Sequence, residues 1–188
     1  MKKSISREKL LDVTFEEVYK YGYNGASTAN ILKIASVAKG SMYHHFKSKK
    51  ELVIAMIYER LIPKVETFFD FEIKKSSSAK EIIEHTFKKM SENEMLIKHG
   101  CPLHKIMYEM GSLDEDIANI CHMEFQKLSK NLQRVIDYGC KKREFEFADT
   151  KRISEFIIVS TWGILSRVPN DSSKEQFLND TSLLVKSL

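Results

Sequence analysis

The sequence predicts an all-α protein, and three observations carry that prediction. Its 188 residues include only seven Gly and three Pro, so few positions interrupt a helix, and residues that favour helices, such as Lys, Glu, Leu and Met, are plentiful. Apolar residues recur every three or four positions through most of the chain, the spacing that lines one face of a helix. The breaks in that period include Gly22, Gly100, Gly111 and Pro169, residue types that end helices. About nine helices are expected, arranged as a three-helix head over residues 1–48 and a helical body over 49–188.

The first helix is predicted over 6–21, where Leu11, Phe15 and Val18 form one stripe closed by Gly22. A turn follows at 23–27. Ser27 or Thr28 then caps a two-turn helix with Ile31, Ile34 and Ala35 facing inward. After a break at Ser36-Val37, Lys39-Gly40-Ser41-Met42-Tyr43-His44-His45-Phe46 sets Met42 and Phe46 four apart on one side and leaves Tyr43, His44 and Lys47 facing out. Two short helices joined by a tight turn and braced by a longer one make a helix-turn-helix, whose second helix enters the major groove of duplex DNA. Gly40 and Ser41, small residues at its leading end, allow the backbone close to the groove.

Ser48 caps a fourth helix running through Leu52, Met56, Ile57 and Leu61. Pro63 kinks it, and the apolar pattern resumes at Val65, Phe68 and Phe69. Past the loop Ser76-Ser77-Ser78, further helices are predicted near 79–94, 102–110, 114–140, 149–167 and 172–187.

Charge is divided unevenly along the chain. The formal net charge is +4, yet residues 1–50 carry ten Lys/Arg against four Asp/Glu, so the basic excess sits at the end that bears the helix-turn-helix. Clustered lysines of this kind neutralise phosphates and release counterions. No stretch approaches the ~20 consecutive apolar residues of a membrane span, and Met1-Lys2-Lys3-Ser4 lacks the apolar core of a signal peptide. Three cysteines, Cys101, Cys121 and Cys140, form no CxxC pair or disulfide framework. A soluble, cytoplasmic protein is expected. No nucleophile elbow, phosphate-binding glycine loop or HExxH pair occurs, so neither an enzyme nor a cofactor is expected.

From Leu10 to about Ile54 the sequence resembles the TetR family of transcriptional regulators. The resemblance rests on Gly22-Tyr23, Thr28, Ile34-Ala35, the run Lys39 to Phe46, Lys49 and Leu52, all in the family's order. Three positions depart from the pattern: Ser36 stands where the turn often has Gly, Ala38 where a Ser is frequent, and Glu17 where an apolar residue is common. Around Gly100-Cys101-Pro102-Leu103 and Glu109 the chain is similar to one branch of the family that has a Gly-Cys-hydrophobe motif entering its sixth helix.

The resemblance implies a repressor released from a palindromic operator by a small-molecule effector. It puts Lys39, Gly40, Ser41, Tyr43 and His44 in or beside the major groove, and Thr28, Tyr43, Lys47 and Lys49 at phosphates. Lys2 and Lys3 read more simply as a tail than as a minor-groove arm. In the body, Phe68, Phe87, Cys101, Met107, Met110, Phe125, Phe156 and Trp162 are candidate contacts for an apolar or aromatic effector, against the plainer reading of core packing. The last two helices, with Ile153, Phe156, Ile157, Ser160, Trp162, Gly163, Ile164, Phe177, Leu178, Leu183 and Leu184, are expected to pair across a two-fold axis as a homodimer. Two alternatives remain open. Cys101 at a helix start suits a thiol-responsive repressor, or a metal-responsive one with His99, His104, Cys121 and His122. A helical binding module whose basic end meets something other than DNA is the other.

Overall fold

A computed structural model describes residues 4–166 and 173–188. Lys2, Lys3 and the break at Pro169 lie outside the described residues, as do positions 167 and 172 at the ends of the last two predicted helices. Among the described residues every regular element is a helix, and the nine expected helices are all present. They fall into two compact units. One comprises residues up to Val65 together with Pro102–Cys121, and the other comprises Glu66–Cys101 with His122–Leu188.

In the first unit, α1 (Ile5–Gly25) buries Leu11, Phe15 and Val18, the stripe expected from their spacing, together with Leu10. Regular helix ends at Gly22, whose φ of 74° and ψ of −177° are non-helical, and one further turn runs to Gly25. α2 (Thr28–Ala35) starts at Ser27, whose hydroxyl accepts from the Asn30 N–H at 3.1 Å. It ends at Ser36 in the left-handed conformation, φ 54°, a position where Gly relieves a strain of about 1–2 kcal/mol. α3 (Lys39–His45) begins without a side-chain cap from Ala38. α4 (Lys49–Met56) is capped by Ser48, which accepts from the Glu51 N–H at 3.1 Å.

The fourth helix continues as a π-helical turn, Ile57–Leu61, and then as α5 (Ile62–Glu66). Pro63 accounts for the irregularity. It has no N–H to give the Glu59 carbonyl one α-turn back, and the Arg60 guanidinium donates to that oxygen instead, at 3.2 Å. The unit is completed by α8 (Pro102–Met110), which packs on α1, and by the first turns of the long helix α9 (Glu115–Lys141).

One expected core position is corrected. Ile34 is 51% exposed, because α2 packs chiefly on α1, and a helix with one main neighbour buries only a narrow stripe, here Ile31 and Ala35.

The second unit holds α6 (Ala79–Ser91), with a complete capping box between Ser78 and Glu81, the rest of α9, α10 (Thr150–Leu165) and α11 (Lys174–Lys186). A short helix, α7 (Glu94–His99), fills the stretch before Gly100 that the periodicity leaves unassigned. α6 packs on α11 and α7, and α10 on α11 and α7. Their core includes Ile83, Phe87, Leu132, Ile157 and Trp162. Ile157 and Trp162, expected at a dimer face, are therefore buried within their own chain, while Phe156, Val159 and Leu183 are exposed. On α10 the two sets lie on opposite sides of one helix.

The second unit also holds a buried carboxylate. Glu124 is 5% exposed and its Oε1 has no hydrogen-bond partner. Burial pushes its pKa up, the Glu66 carboxylate adds to that, and Lys127 opposes it. A raised carboxyl pKa in the folded state means stability falls as pH rises from the unfolded value through the folded one. Glu124→Met is therefore expected to raise the melting temperature at pH 7 by about 2–4 °C, and by less at pH 4. A thermal melt at both pH values checks this, and equal effects would contradict it.

Candidate nucleic-acid interface

α3 is held by its apolar side. Met42 is 0% and Phe46 2% exposed, and α3 packs against α1. The Arg7 guanidinium lies 5.4 Å from the centre of the Phe46 ring, and the same guanidinium is paired with both carboxylate oxygens of Glu59. His45 Nε2 lies 3.2 and 3.0 Å from the hydroxyls of Ser4 and Ser6, which ties the end of α3 to the start of α1. Arg60, on the π-helical turn Ile57–Leu61, joins the fourth helix to α1 through Asp12 at 2.6 Å and Glu8 at 2.7 Å. These contacts fix α3 from one side only.

The other side is open. Lys39, Gly40, Tyr43, His44 and Lys47 are exposed, Tyr43 by 48%, and Ser41 is half-buried. Lys39 sits 6.0 Å from the Tyr43 ring centre, a contact that steadies the phenol without covering it. Among the described residues no carboxylate pairs with the ammonium groups of Lys33, Lys39 or Lys47, whereas Lys20 pairs with Glu16 and Lys50 with two aspartates. Two cations whose charge no carboxylate answers among the described residues, Lys39 and Lys47, thus stand at the two ends of α3.

Two expected phosphate contacts are less open. Thr28, the first residue of α2, is half-buried. Lys49 is half-buried with its ammonium 4.6 Å from the Tyr23 ring centre, and burial lowers its pKa despite the opposing pull of Glu109.

Glu17, which departs from the apolar pattern, is buried and accepts from Asn30 Nδ2 at 2.5 Å. The carboxylate joins α1 to α2 where an apolar side chain would only pack. Its partner is thirteen residues away, so no short sequence spacing signals the pair.

The effector candidates divide between the two units. Met107 and Met110 lie on α8 in the first. In the second, Phe87 lines a narrow apolar gap of about 10 Å³ with Phe69, Phe71, Ile158 and Thr161, barely the space of one water. Phe125 and Trp162 form a pair with centroids 5.4 Å apart. Phe68 borders an open groove of about 490 Å³ beneath the 67–78 segment, lined also by Asp70, Lys74, His85 and Lys89. Phe156 is exposed and lines neither space. Cys101 directly precedes α8 but is buried, which leaves its thiol little contact with solvent. Among the described residues no group of three or more His, Cys, Asp or Glu side chains is arranged to hold a metal ion. No helix among them is long and apolar enough to cross a membrane.

Three residues outside the expected contact sets tie the first unit together. Glu109 Oε2 accepts from the Asn24 N–H at 2.9 Å. Lys105 donates to the carbonyls of Tyr19 and Lys20 at 2.9 and 3.3 Å. Asp114 pairs with Lys50 at 2.7 Å. Glu109 was legible as part of a motif, while nothing in local spacing signals the other two.

Comparison with known proteins points in the same direction. Residues 10–56 match the family model for bacterial regulatory proteins of the tetR family. An uncharacterized HTH-type transcriptional regulator of Lactococcus lactis subsp. lactis, from the lacX 3′ region, is 28% identical over 68% of this chain and 66% of its own length. The transcriptional regulator AcuR of Cereibacter sphaeroides is 30% identical over 60% of this chain and 52% of its own. The chain thus spans between about half and two thirds of these relatives. Among solved structures, a TetR-family transcriptional regulator from Agrobacterium tumefaciens superposes with a TM-score of 0.84, at 18% identity, over 97% of both chains.

The close approach at Gly22 gives a test of the local geometry. A Cβ there would fall 1.7 Å from Glu109 Oε1, at a φ of +74°. Gly22→Ala is expected to destabilise the chain by about 1–3 kcal/mol, read by denaturant unfolding. A variant as stable as the wild type would contradict the placement.

Proposed function

Because this chain belongs to the TetR family of bacterial regulatory proteins, we propose that it is a transcriptional repressor that grips a palindromic operator as a homodimer and lets go when a small-molecule effector binds. The observation that carries the reading is α3 itself, with Met42 and Phe46 buried and Lys39, Tyr43, His44 and Lys47 exposed on the other side. In this reading residues 1–48 meet DNA, and 49–188 bind the effector and the partner subunit.

Lys39, Gly40, Ser41, Tyr43 and His44 face base edges in the major groove. Lys47 and Thr28 reach phosphates, supplying affinity without reading sequence. Lys49 contributes least, since its ammonium is already engaged by Tyr23. A second copy supplies the second half-site. The exposed Phe156 and Val159 of α10, with Leu183 of α11, form the apolar face that a two-fold contact covers, and Gly163, with open space where a Cβ would stand, permits close approach.

The effector is an apolar or aromatic molecule that enters the second unit beside Phe87. Its gap is too small to admit such a molecule as it stands, so binding requires the helices around it to part. An effector of this kind acts only by favouring the parted arrangement over the closed one, since equal affinity for both shifts nothing.

Fluorescence anisotropy on duplex fragments from the promoter of its own gene tests the reading. One short palindrome should bind tightly, with affinity falling steeply as salt rises. Lys47→Ala should weaken binding to every sequence and reduce the slope of log K against log salt by about one. Binding without sequence preference, or none, would overturn the proposal.

A further inference from the structure

The helix-turn-helix is not finished by its own sequence. Its first end is the broken terminus of α1, where Gly22 leaves the helix and the chain turns towards α2. The Asn24 N–H exposed by that break finds its acceptor on α8, the Glu109 carboxylate, at 2.9 Å. One turn earlier the carbonyls of Tyr19 and Lys20 receive the Lys105 ammonium, also from α8. The two side chains are four apart on one face of α8. Each meets the group of opposite polarity at the end of α1, a cation on helix carbonyls and an anion on a freed N–H. Gly22 fits this arrangement, because any side chain there would occupy the space of the Glu109 carboxylate.

The second end is treated alike. α4 begins directly after the recognition segment, and Lys50 in its first turn is gripped by Asp114 and Asp116, each at 2.7 Å. These aspartates lie at the turn into α9, four and six residues past the end of α8. One stretch, residues 102–116, therefore holds both ends of the segment that contains α2 and α3. Lys50 consequently differs from its neighbour Lys47, since its charge is already answered within the chain.

We infer that residues 102–116 are a structural part of the DNA-binding unit, and that Glu109, Lys105 and Asp114 are positioning residues that fix how α3 is presented without touching DNA. The inference rests on the DNA-binding reading above and goes beyond it, because it assigns operator affinity to residues far from the recognition helix in sequence.

The salt dependence of binding separates positioning from contact. A residue that neutralises a phosphate contributes to the slope of log K against log salt, and a residue that only orients the helix does not. The full-length chain is titrated onto its palindromic duplex in a series from about 50 to 200 mM salt. Glu109→Ala should lower affinity about tenfold and leave the slope at its wild-type value. Glu109→Gln, which keeps an acceptor oxygen for Asn24, should restore affinity to within about threefold. Lys50→Ala should leave the slope unchanged, in contrast to Lys47→Ala. Wild-type affinity in Glu109→Ala, no rescue by Gln, or a slope reduced by about one in Glu109→Ala or Lys50→Ala would each overturn the inference. If Glu109→Ala melts below the assay temperature, Lys105→Met takes its place with the same two outcomes. A wild-type chain that binds no duplex specifically defeats the DNA-binding reading itself, and needs no variant to detect.

Discussion

The burial of Met42 and Phe46 against α1 is the interaction on which the rest depends. A seven-residue helix has no stability of its own in water, so α3 exists because its apolar side is held by the longer helix. Burying each of those side chains is worth roughly 1.5–3 kcal/mol, enough to keep so short a helix in place. The same act decides the opposite side. With Met42 and Phe46 inward, helical geometry turns Tyr43 and His44 out, together with Lys39 one turn before Tyr43.

Electrostatics adds a second layer of order. Arg7, Arg60 and Lys50 are spent on carboxylates inside the first unit, where they join α1 to the fourth helix and α4 to the turn before α9. Lys39 and Lys47 have no such partner among the described residues. The basic excess of the first fifty residues is therefore not spread evenly over the surface. Part of it is structural, while Lys39 and Lys47 stand at the two ends of α3, where an external anion would meet them without breaking an internal pair.

Much of this was legible in the sequence, for a physical reason. A helix-turn-helix is encoded by local spacing: Leu11, Phe15 and Val18 on one helix, Ile31 and Ala35 on the next, Met42 and Phe46 on the third, with capping hydroxyls at Ser27 and Ser48. What spacing does not encode was missed. Ile34 looks like a core residue by periodicity, and only the number of neighbours around α2 leaves it exposed. Pro63 announces a disturbance in the fourth helix, but not that it takes the form of a π-helical turn with Arg60 on the freed carbonyl. The contact of Lys105 with α1 spans more than eighty residues and ends on backbone oxygens, which carry no residue identity. At α10 the periodicity identified an apolar helix, and the fold then separated its buried side, Ile157 and Trp162, from its exposed side, Phe156 and Val159.

The most direct measurement is chemical-shift mapping of the isotopically labelled chain as its operator duplex is added. Resonances of Lys39, Tyr43, His44 and Lys47 should move or broaden first and most, while the Met42 methyl and the Phe46 ring change little because they remain packed on α1. Perturbations concentrated elsewhere, with α3 unaffected at saturating duplex, would contradict the account.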